Sequence, residues 1–148
     1  MEIKKILYTT DFSKNAGYAL PYVTSLSEKY NAEVHVLYVG EDLSHHDAWY
    51  GEFEGTHVPK IREWEEKNAN KRLDDICDRH LEGCPRFIKH IVVGDPAKEI
   101  LKFIDYEKID LVVMATHGMK SHFPFGSVTE KVVRNAKAPV LTISPPQS

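Results

Sequence analysis

Residues 110–115 read Asp-Leu-Val-Val-Met-Ala, and every position after the aspartate is apolar. A short run that is apolar at consecutive positions, rather than at alternate ones, is typical of a strand buried on both faces. Such strands occur almost only in parallel sheets that carry helices on both sides. This run therefore predicts an α/β fold built on a parallel sheet.

Strand-like and helix-like segments alternate along the rest of the chain. Short runs rich in branched apolar residues predict strands over 3–9, 33–39, 86–93 and 139–144. Helical periodicity predicts helices over 14–29, 59–81, from Pro96 onward and over 127–135, the last burying Val128, Val132, Val133 and Ala136. Ser13 and Asp95 stand where helix N-caps belong. The order βαβαβαβαβ predicts one domain over 1–148, a single parallel sheet with helices on both faces.

Composition excludes several classes of protein. The chain has 148 residues, of which 42% are hydrophobic and 28% charged, unlike a disordered or a membrane-embedded chain. A net charge of −3 offers no electrostatic basis for binding nucleic acid. Two cysteines are too few for a disulfide framework, the first residues do not have a signal-peptide pattern, and no apolar run is long enough to span a membrane. These features predict a cytoplasmic protein with no membrane association.

Two groups of metal-ligating residue types lie outside the regular pattern. Residues 40–57 form a long insert between a strand and a helix, and contain His45, His46 and His57, which could bind a transition metal or sense pH. A solvated loop is the favoured interpretation. Cys77, His80 and Cys84 supply three soft ligands where a structural zinc site normally has four, so buried thiols are favoured there.

Ligands of open parallel sheets bind beyond the carboxyl ends of the strands, where the strand order reverses. The loop after the fourth strand, 116–127, contains Gly118 and ends in Gly126-Ser127 at a helix start, which could form a cradle for a phosphate. The alternative is that both glycines are ordinary turn residues and Ser127 an ordinary cap. Neither the Walker loop nor the dinucleotide-binding glycine pattern is present.

Four segments in order resemble the universal stress proteins over nearly the whole chain. They are KKILYTTDFS at 4–13, VGDP at 93–96 with Glu99-Ile100, DLVVMATHG at 110–118, and GSVTEKVV at 126–133 followed by APVL at 138–141. The resemblance implies a Rossmann-like fold of the adenine nucleotide alpha hydrolase type, with strand order 3-2-1-4-5. The order reverses between strands one and four.

Many members of that family bind ATP at this reversal, so the resemblance implies an adenine nucleotide site. The residues that it assigns to the adenine and ribose end are Thr9, Thr10, Asp11 and Val39. Those that it assigns to the phosphates are Gly118, Gly126, Ser127 and Val128, with Met114 and Ala115 beneath the sugar. His117 could line the same site and form an acid–base pair with Asp11, although the favoured interpretation is that Asp11 caps a loop and His117 packs beside it. A Mg²⁺ ion bound through Asp11 and the ligand phosphates would be chemically ordinary.

The sequence departs from the ATP-binding pattern of the family in two places. Ala115 stands where the first glycine belongs, and seven residues instead of nine separate Gly118 from Gly126. Three possibilities therefore remain open: the protein binds ATP, it binds another adenine nucleotide, or it binds no nucleotide. In the last case it would be a homodimeric stress-response interaction module. Binding is favoured over turnover, which would be at most a slow ATPase using Asp11. The family also implies a regulatory homodimer that pairs through the edge strand 139–144.

Overall fold

The computed structural model describes residues 1–40, 57–80, 86–117 and 125–146, with side chains from 66 to 79 in the helix over 57–80. The strands are β1 (Lys5–Thr10), β2 (Glu33–Gly40), β3 (Arg86–Val93), β4 (Leu111–Ala115) and β5 (Val140–Ile143). The helices are α1 (Lys14–Gly17), α2 (Leu20–Tyr30), α3 (His57–His80), α4 (Pro96–Glu107) and α5 (Ser127–Asn135).

The strands form one parallel sheet in the order β3-β2-β1-β4-β5, which confirms the predicted fold class. The order reverses between β1 and β4, whose register pairs Ile6 with Leu111 and Tyr8 with Val113. At the start of these strands the Asp110 carboxylate accepts hydrogen bonds from the Lys4 and Lys5 amides, each 2.9 Å long. This carboxylate therefore links the start of β4 to the start of β1, and so helps to set the register of the two strands up to their carboxyl ends.

Core side chains lie on both faces of the sheet because successive strand residues point to opposite sides. One cluster packs α2 and α3 against the sheet and includes Tyr8, Val23, Val34 and Leu73. The other packs α4 and α5 and includes Leu7, Leu37, Ile100 and Val132. Each fully buried apolar side chain contributes about 1.5–3 kcal/mol relative to exposure, so the two layers hold the sheet rigidly beneath its carboxyl edge.

The predicted helix over 14–29 is wrong as one element, because the structure divides it into α1 and α2. Pro21 lies in the first turn of α2. A proline inside a continuous helix would remove one backbone hydrogen bond and clash with the carbonyl four residues earlier, here that of Gly17. The predicted cap is confirmed, since the Ser13 hydroxyl accepts a hydrogen bond of 3.1 Å from the Ala16 amide.

The prediction that Val133 faces the core is also wrong. Val132 is fully buried, whereas Val133 is 46% exposed. Neighbouring helix residues point about 100° apart, so a narrow buried stripe cannot take both. Val128 and Ala136 pack against the core cluster as predicted.

Several predictions fall on residues outside the described ranges. They concern the insert from 41 to 56 with His45 and His46, the cysteine Cys84, and Gly118 with the loop that follows it. Cys77 is buried, and its proposed grouping with His80 stays a prediction. Across the described segments, no three His, Cys, Asp or Glu side chains gather as a metal site would require, and no helix is both long and apolar enough to span a bilayer.

A polar network joins the edge strand β3 to its neighbour β2. His35 is 2% exposed, and its Nε2 lies 2.6 Å from Glu33 Oε1, while its Nδ1 lies 2.9 Å from His90 Nε2. A carboxylate only accepts hydrogen bonds, so His35 Nε2–H donates to Glu33, and one ring N–H lies between His35 Nδ1 and His90 Nε2. Burial and the neighbouring His35 lower the pKa of His90, while Glu107 and Glu33 act in the opposite direction.

We expect this network to make the fold weaker in acid. Because the pKa of His90 is lower in the folded than in the unfolded chain, the unfolded chain binds more protons once the pH falls below about 6.5. The free energy of unfolding should therefore decrease from pH 7 to pH 5. His90→Gln keeps a donor toward His35 without a titrating ring, and urea unfolding should show a smaller decrease. An identical pH dependence in both proteins would contradict this role of His90.

Candidate functional site

The carboxyl ends of β1 and β4 lie side by side at the reversal of the strand order. Following the register from the pair of Tyr8 and Val113, Thr10 and Ala115 reach this edge together. Thr10 is also paired with Tyr38 of β2, so Val39 follows at the same edge. The topology therefore gathers the predicted residues of these three strands at one place, where α/β sheets bind ligands.

Side-chain to backbone hydrogen bonds shape the loop between β1 and α1. The Phe12 amide donates to Thr10 Oγ1 over 3.0 Å, and the Ser13 amide donates to Asp11 Oδ1 over 2.9 Å. Asp11 itself is exposed. Its carboxylate therefore caps the loop through one oxygen while facing solvent at the sheet edge.

Two hydrogen bonds join the end of β4 to the start of α5, and a third joins it to the end of β5. The Gly126 amide donates to the Thr116 carbonyl over 2.8 Å, and the Thr116 amide donates to the Ile143 carbonyl over 3.0 Å. The buried Thr129 hydroxyl donates to the Ala115 carbonyl over 2.9 Å. These bonds hold the first turn of α5 against the end of β4, beside the β1–α1 loop.

Within the described ranges, no side chain caps the N-terminus of α5. Gly126 is the N-cap residue, with φ −70° and ψ 160°; its carbonyl accepts from the Glu130 amide over 2.9 Å, but it has no side-chain oxygen for the other amides of the first turn. Ser127 is the first helical residue and is exposed, so the alternative that it serves as the cap does not hold. The first N–H groups of a helix and its positive dipole end together favour an anion.

The other predicted site residues differ in their exposure. Thr9, Thr10, Met114 and Ala115 are buried, and Val39, His117 and Val128 are half-buried. His117 Nδ1 lies 3.1 Å from the Thr116 hydroxyl. Ala115 belongs to strand β4, so the methyl group that replaces a glycine there causes no backbone strain. The Met114 side chain belongs to the core cluster under α4 and α5.

Sequence reasoning missed two sets of residues at this edge. The Thr129 hydroxyl binds α5 to the end of β4. The signal in the sequence that could have identified this residue was its position in the first turn of a predicted helix. Phe12 stacks on Tyr38 with ring centroids 4.6 Å apart, and the Arg72 guanidinium carbon lies 5.3 Å from the Phe12 ring centroid. No local pattern links these three residues, because they come from different elements.

Comparison with known proteins agrees with this architecture. The model of the universal stress protein family matches residues 2–144. Universal stress protein MJ0577 of Methanocaldococcus jannaschii is 32% identical, over 95% of this chain and 94% of its own. The solved structure of MJ0577 superposes with a TM-score of 0.84 at 29% identity, covering both chains completely.

Two more distant solved structures share the fold. One is a universal stress protein in complex with cAMP, with a TM-score of 0.62 at 20% identity over 97% of this chain and 98% of that one. The other is an Arabidopsis thaliana family protein with AMP bound, with a TM-score of 0.69 at 16% identity over 97% and 92%. The family match and the identity to MJ0577 each span almost the whole chain, and this chain therefore belongs to the universal stress protein family.

Proposed function

We propose that this protein binds an adenine nucleotide at the carboxyl edge of β1 and β4 and acts as a nucleotide-responsive regulatory protein. The observation that carries the proposal is the uncapped N-terminus of α5, held against the end of β4 by the bond from Thr129 to Ala115. Exposed helix N–H groups at a topological switch point are a common binding site for nucleotide phosphates. The AMP and cAMP complexes of two proteins with this fold also support a nucleotide ligand.

The proposed assignment of residues follows the two ends of the ligand. The phosphates would lie against the α5 N-terminus, near Gly126, Ser127 and Val128. The adenine and ribose would lie over the ends of β1 and β2, near Thr10, Asp11 and Val39. ATP is our first choice among the adenine nucleotides, with Mg²⁺ held between the exposed Asp11 carboxylate and the phosphates.

A direct test uses protein purified without added nucleotide. Denaturation and mass analysis of the released small molecules should show an adenine nucleotide, and calorimetric titration with ATP, ADP, AMP and cAMP should rank them. The proposal would be refuted if no ligand copurified and if titration up to about millimolar nucleotide released no heat. A Kd of about 1 mM corresponds to a binding free energy of about −4 kcal/mol.

Asp11→Asn is expected to weaken ATP binding about tenfold in the presence of Mg²⁺ and much less in EDTA. The amide oxygen of Asn can still accept the hydrogen bond from the Ser13 amide, so the loop should keep its shape. The variant removes only the negative charge that attracts the cation. Calorimetric titrations of both proteins with and without Mg²⁺ measure the effect. An equal loss in both conditions would exclude a role of Asp11 in holding the metal.

The same pair of proteins tests for turnover. Slow release of phosphate from ATP by the wild-type protein, absent in Asp11→Asn, would show an ATPase that uses this carboxylate. Binding without release would leave the protein as a nucleotide sensor.

A second candidate function is that of a homodimeric interaction module, in which the edge strand pairs across a two-fold axis. Strand β5 lies at the edge of the sheet, and its Leu141 is 36% exposed. Val133 on the neighbouring helix α5 is also exposed. An exposed apolar edge strand favours pairing with a second chain. The mass in solution, measured by light scattering with and without nucleotide, tests this candidate.

A further inference from the structure

The backbone of Phe12 is unusual among the described residues. Its φ is 65°, in the left-handed region, where side chains are rarely found. The other non-glycine residues with positive φ, Asn31 and Lys108, are helix C-caps, where this conformation is common. Phe12 instead lies in the loop directly after β1, beside the exposed Asp11. An apolar ring offers no local hydrogen bond that would favour this conformation.

Contacts from two other elements hold the Phe12 ring. Tyr38 of β2 lies on one side, with ring centroids 4.6 Å apart and an angle of 34° between the rings. Arg72 of α3 places its guanidinium carbon 5.3 Å from the ring centroid. Stacking and cation–π contacts of this kind stabilise a ring in one place. We call these three residues the Phe12 clamp.

The position of the ring and that of Asp11 depend on each other. The bonds from the Phe12 amide to Thr10 Oγ1 and from the Ser13 amide to Asp11 Oδ1 exist only with the observed backbone turn. Rotating Phe12 to an ordinary right-handed conformation would turn the adjacent peptide groups and disrupt both bonds. The Asp11 carboxylate would then move relative to the end of β4.

A groove lies next to the loop among the described residues. This open groove of about 340 Å³ is lined by residues that include Thr10, Phe12, Ser13, Gly17 and Arg72. A Cβ built on Gly17 would meet nothing within 4 Å. Because the described residues leave this side of the loop loosely packed, the contacts that they give the loop there are its own hydrogen bonds and the clamp.

We propose that Phe12 is a positioning residue of the nucleotide site, which holds Asp11 in place through its clamp with Tyr38 and Arg72. This inference rests on the nucleotide site proposed above. It also implies that ligand binding and the docking of α3 stabilise each other, because coupling between two sites is reciprocal.

The test compares ring variants with a matched arginine control. Phe12→Ala and Phe12→Gly should each weaken ATP binding about tenfold or more, while Phe12→Tyr, which keeps the ring, should bind normally. Arg72→Met should weaken binding severalfold. Arg79→Met is the control, because Arg79 lies on the same helix, is exposed and forms an ion pair of 2.9 Å with Asp75, one turn away.

A second measurement does not need a ligand. Hydrogen exchange of the amides from 11 to 17 should be faster in Phe12→Gly and Arg72→Met than in the wild type, and unchanged in Arg79→Met. Wild-type affinity in Phe12→Gly, or unchanged exchange in both clamp variants, would overturn the inference. If the wild-type protein binds no nucleotide, the proposed function fails and the positioning role fails with it, while faster exchange would still show that the clamp orders the loop.

Discussion

Gly126→Val is expected to lower the affinity for ATP by about 10- to 100-fold, the loss of one or two hydrogen bonds to a charged group. Gly126 is the N-cap of α5 and lies in the extended region of φ and ψ, which valine adopts readily. The branched side chain would stand where a phosphate approaches the first N–H groups. Calorimetric titration with ATP, ADP and adenosine measures the effect. The loss of affinity should be largest for ATP, smaller for ADP and smallest for adenosine.

Because Gly126 is buried, Gly126→Val alone could lower affinity by disturbing the fold. Gly126→Ser separates the two causes, since serine is a preferred N-cap that accepts hydrogen bonds from the first turn. It should keep or slightly raise the melting temperature while its hydroxyl competes with the phosphate for the same donors. Undiminished ATP affinity in both variants would remove the α5 N-terminus from the site.

The second large effect is expected in alkaline solution and concerns Tyr8, which anchors α1 to β1 below the site. Its hydroxyl donates to the Ala16 carbonyl over 2.8 Å, and burial raises the pKa of Tyr8 to about 12. The unfolded chain ionises near pH 10, so this stabilisation is complete below pH 10 and is lost as the pH rises through 12. The difference of about two pKa values corresponds to about 2–3 kcal/mol of unfolding free energy.

Tyr8→Phe isolates this contribution from the other groups that titrate in alkali. The variant should be about 1 kcal/mol less stable at pH 7, because the hydrogen bond from the Tyr8 hydroxyl is lost while the Ala16 carbonyl still accepts from the Ala19 amide over 3.2 Å. It should also lose less stability than the wild type between pH 9 and pH 11.5 in urea unfolding. Tyr106→Phe is the matched control, since Tyr106 is 84% exposed. Parallel curves for wild type and Tyr8→Phe would contradict the assignment.

Much of the fold could be predicted from local patterns. The apolar run at 110–115 predicted an interior strand, and β4 lies between β1 and β5. Ser13 and Asp95 are N-caps as predicted, and the Asp95 carboxylate accepts from the Lys98 amide over 3.1 Å. Each of these features depends on a few neighbouring residues. Where two local signals compete, as with Pro21 inside an otherwise periodic segment, periodicity predicts one helix, whereas the structure has a break directly before the proline.

The candidate site was predictable only in part. Local sequence placed Gly126-Ser127 at a helix start, whereas the resemblance to the family supplied the strand order that brings Asp11 beside it. The bond from Thr129 to the Ala115 carbonyl and the uncapped start of α5 became visible only in the structure. A hydroxyl in a first helical turn has several partners within reach, and the packing of the helix decides among them.

By itself, the sequence determined the alternation of strands and helices, their caps and the parallel sheet, because each depends on periodicity and on residues close along the chain. Only the tertiary structure decided how His35 meets His90, 55 residues away, and how Phe12 meets Tyr38 and Arg72. Contacts of this kind depend on which strands are neighbours and on how helices pack over them. Those arrangements are set by burial of the whole core, which no short stretch of sequence records.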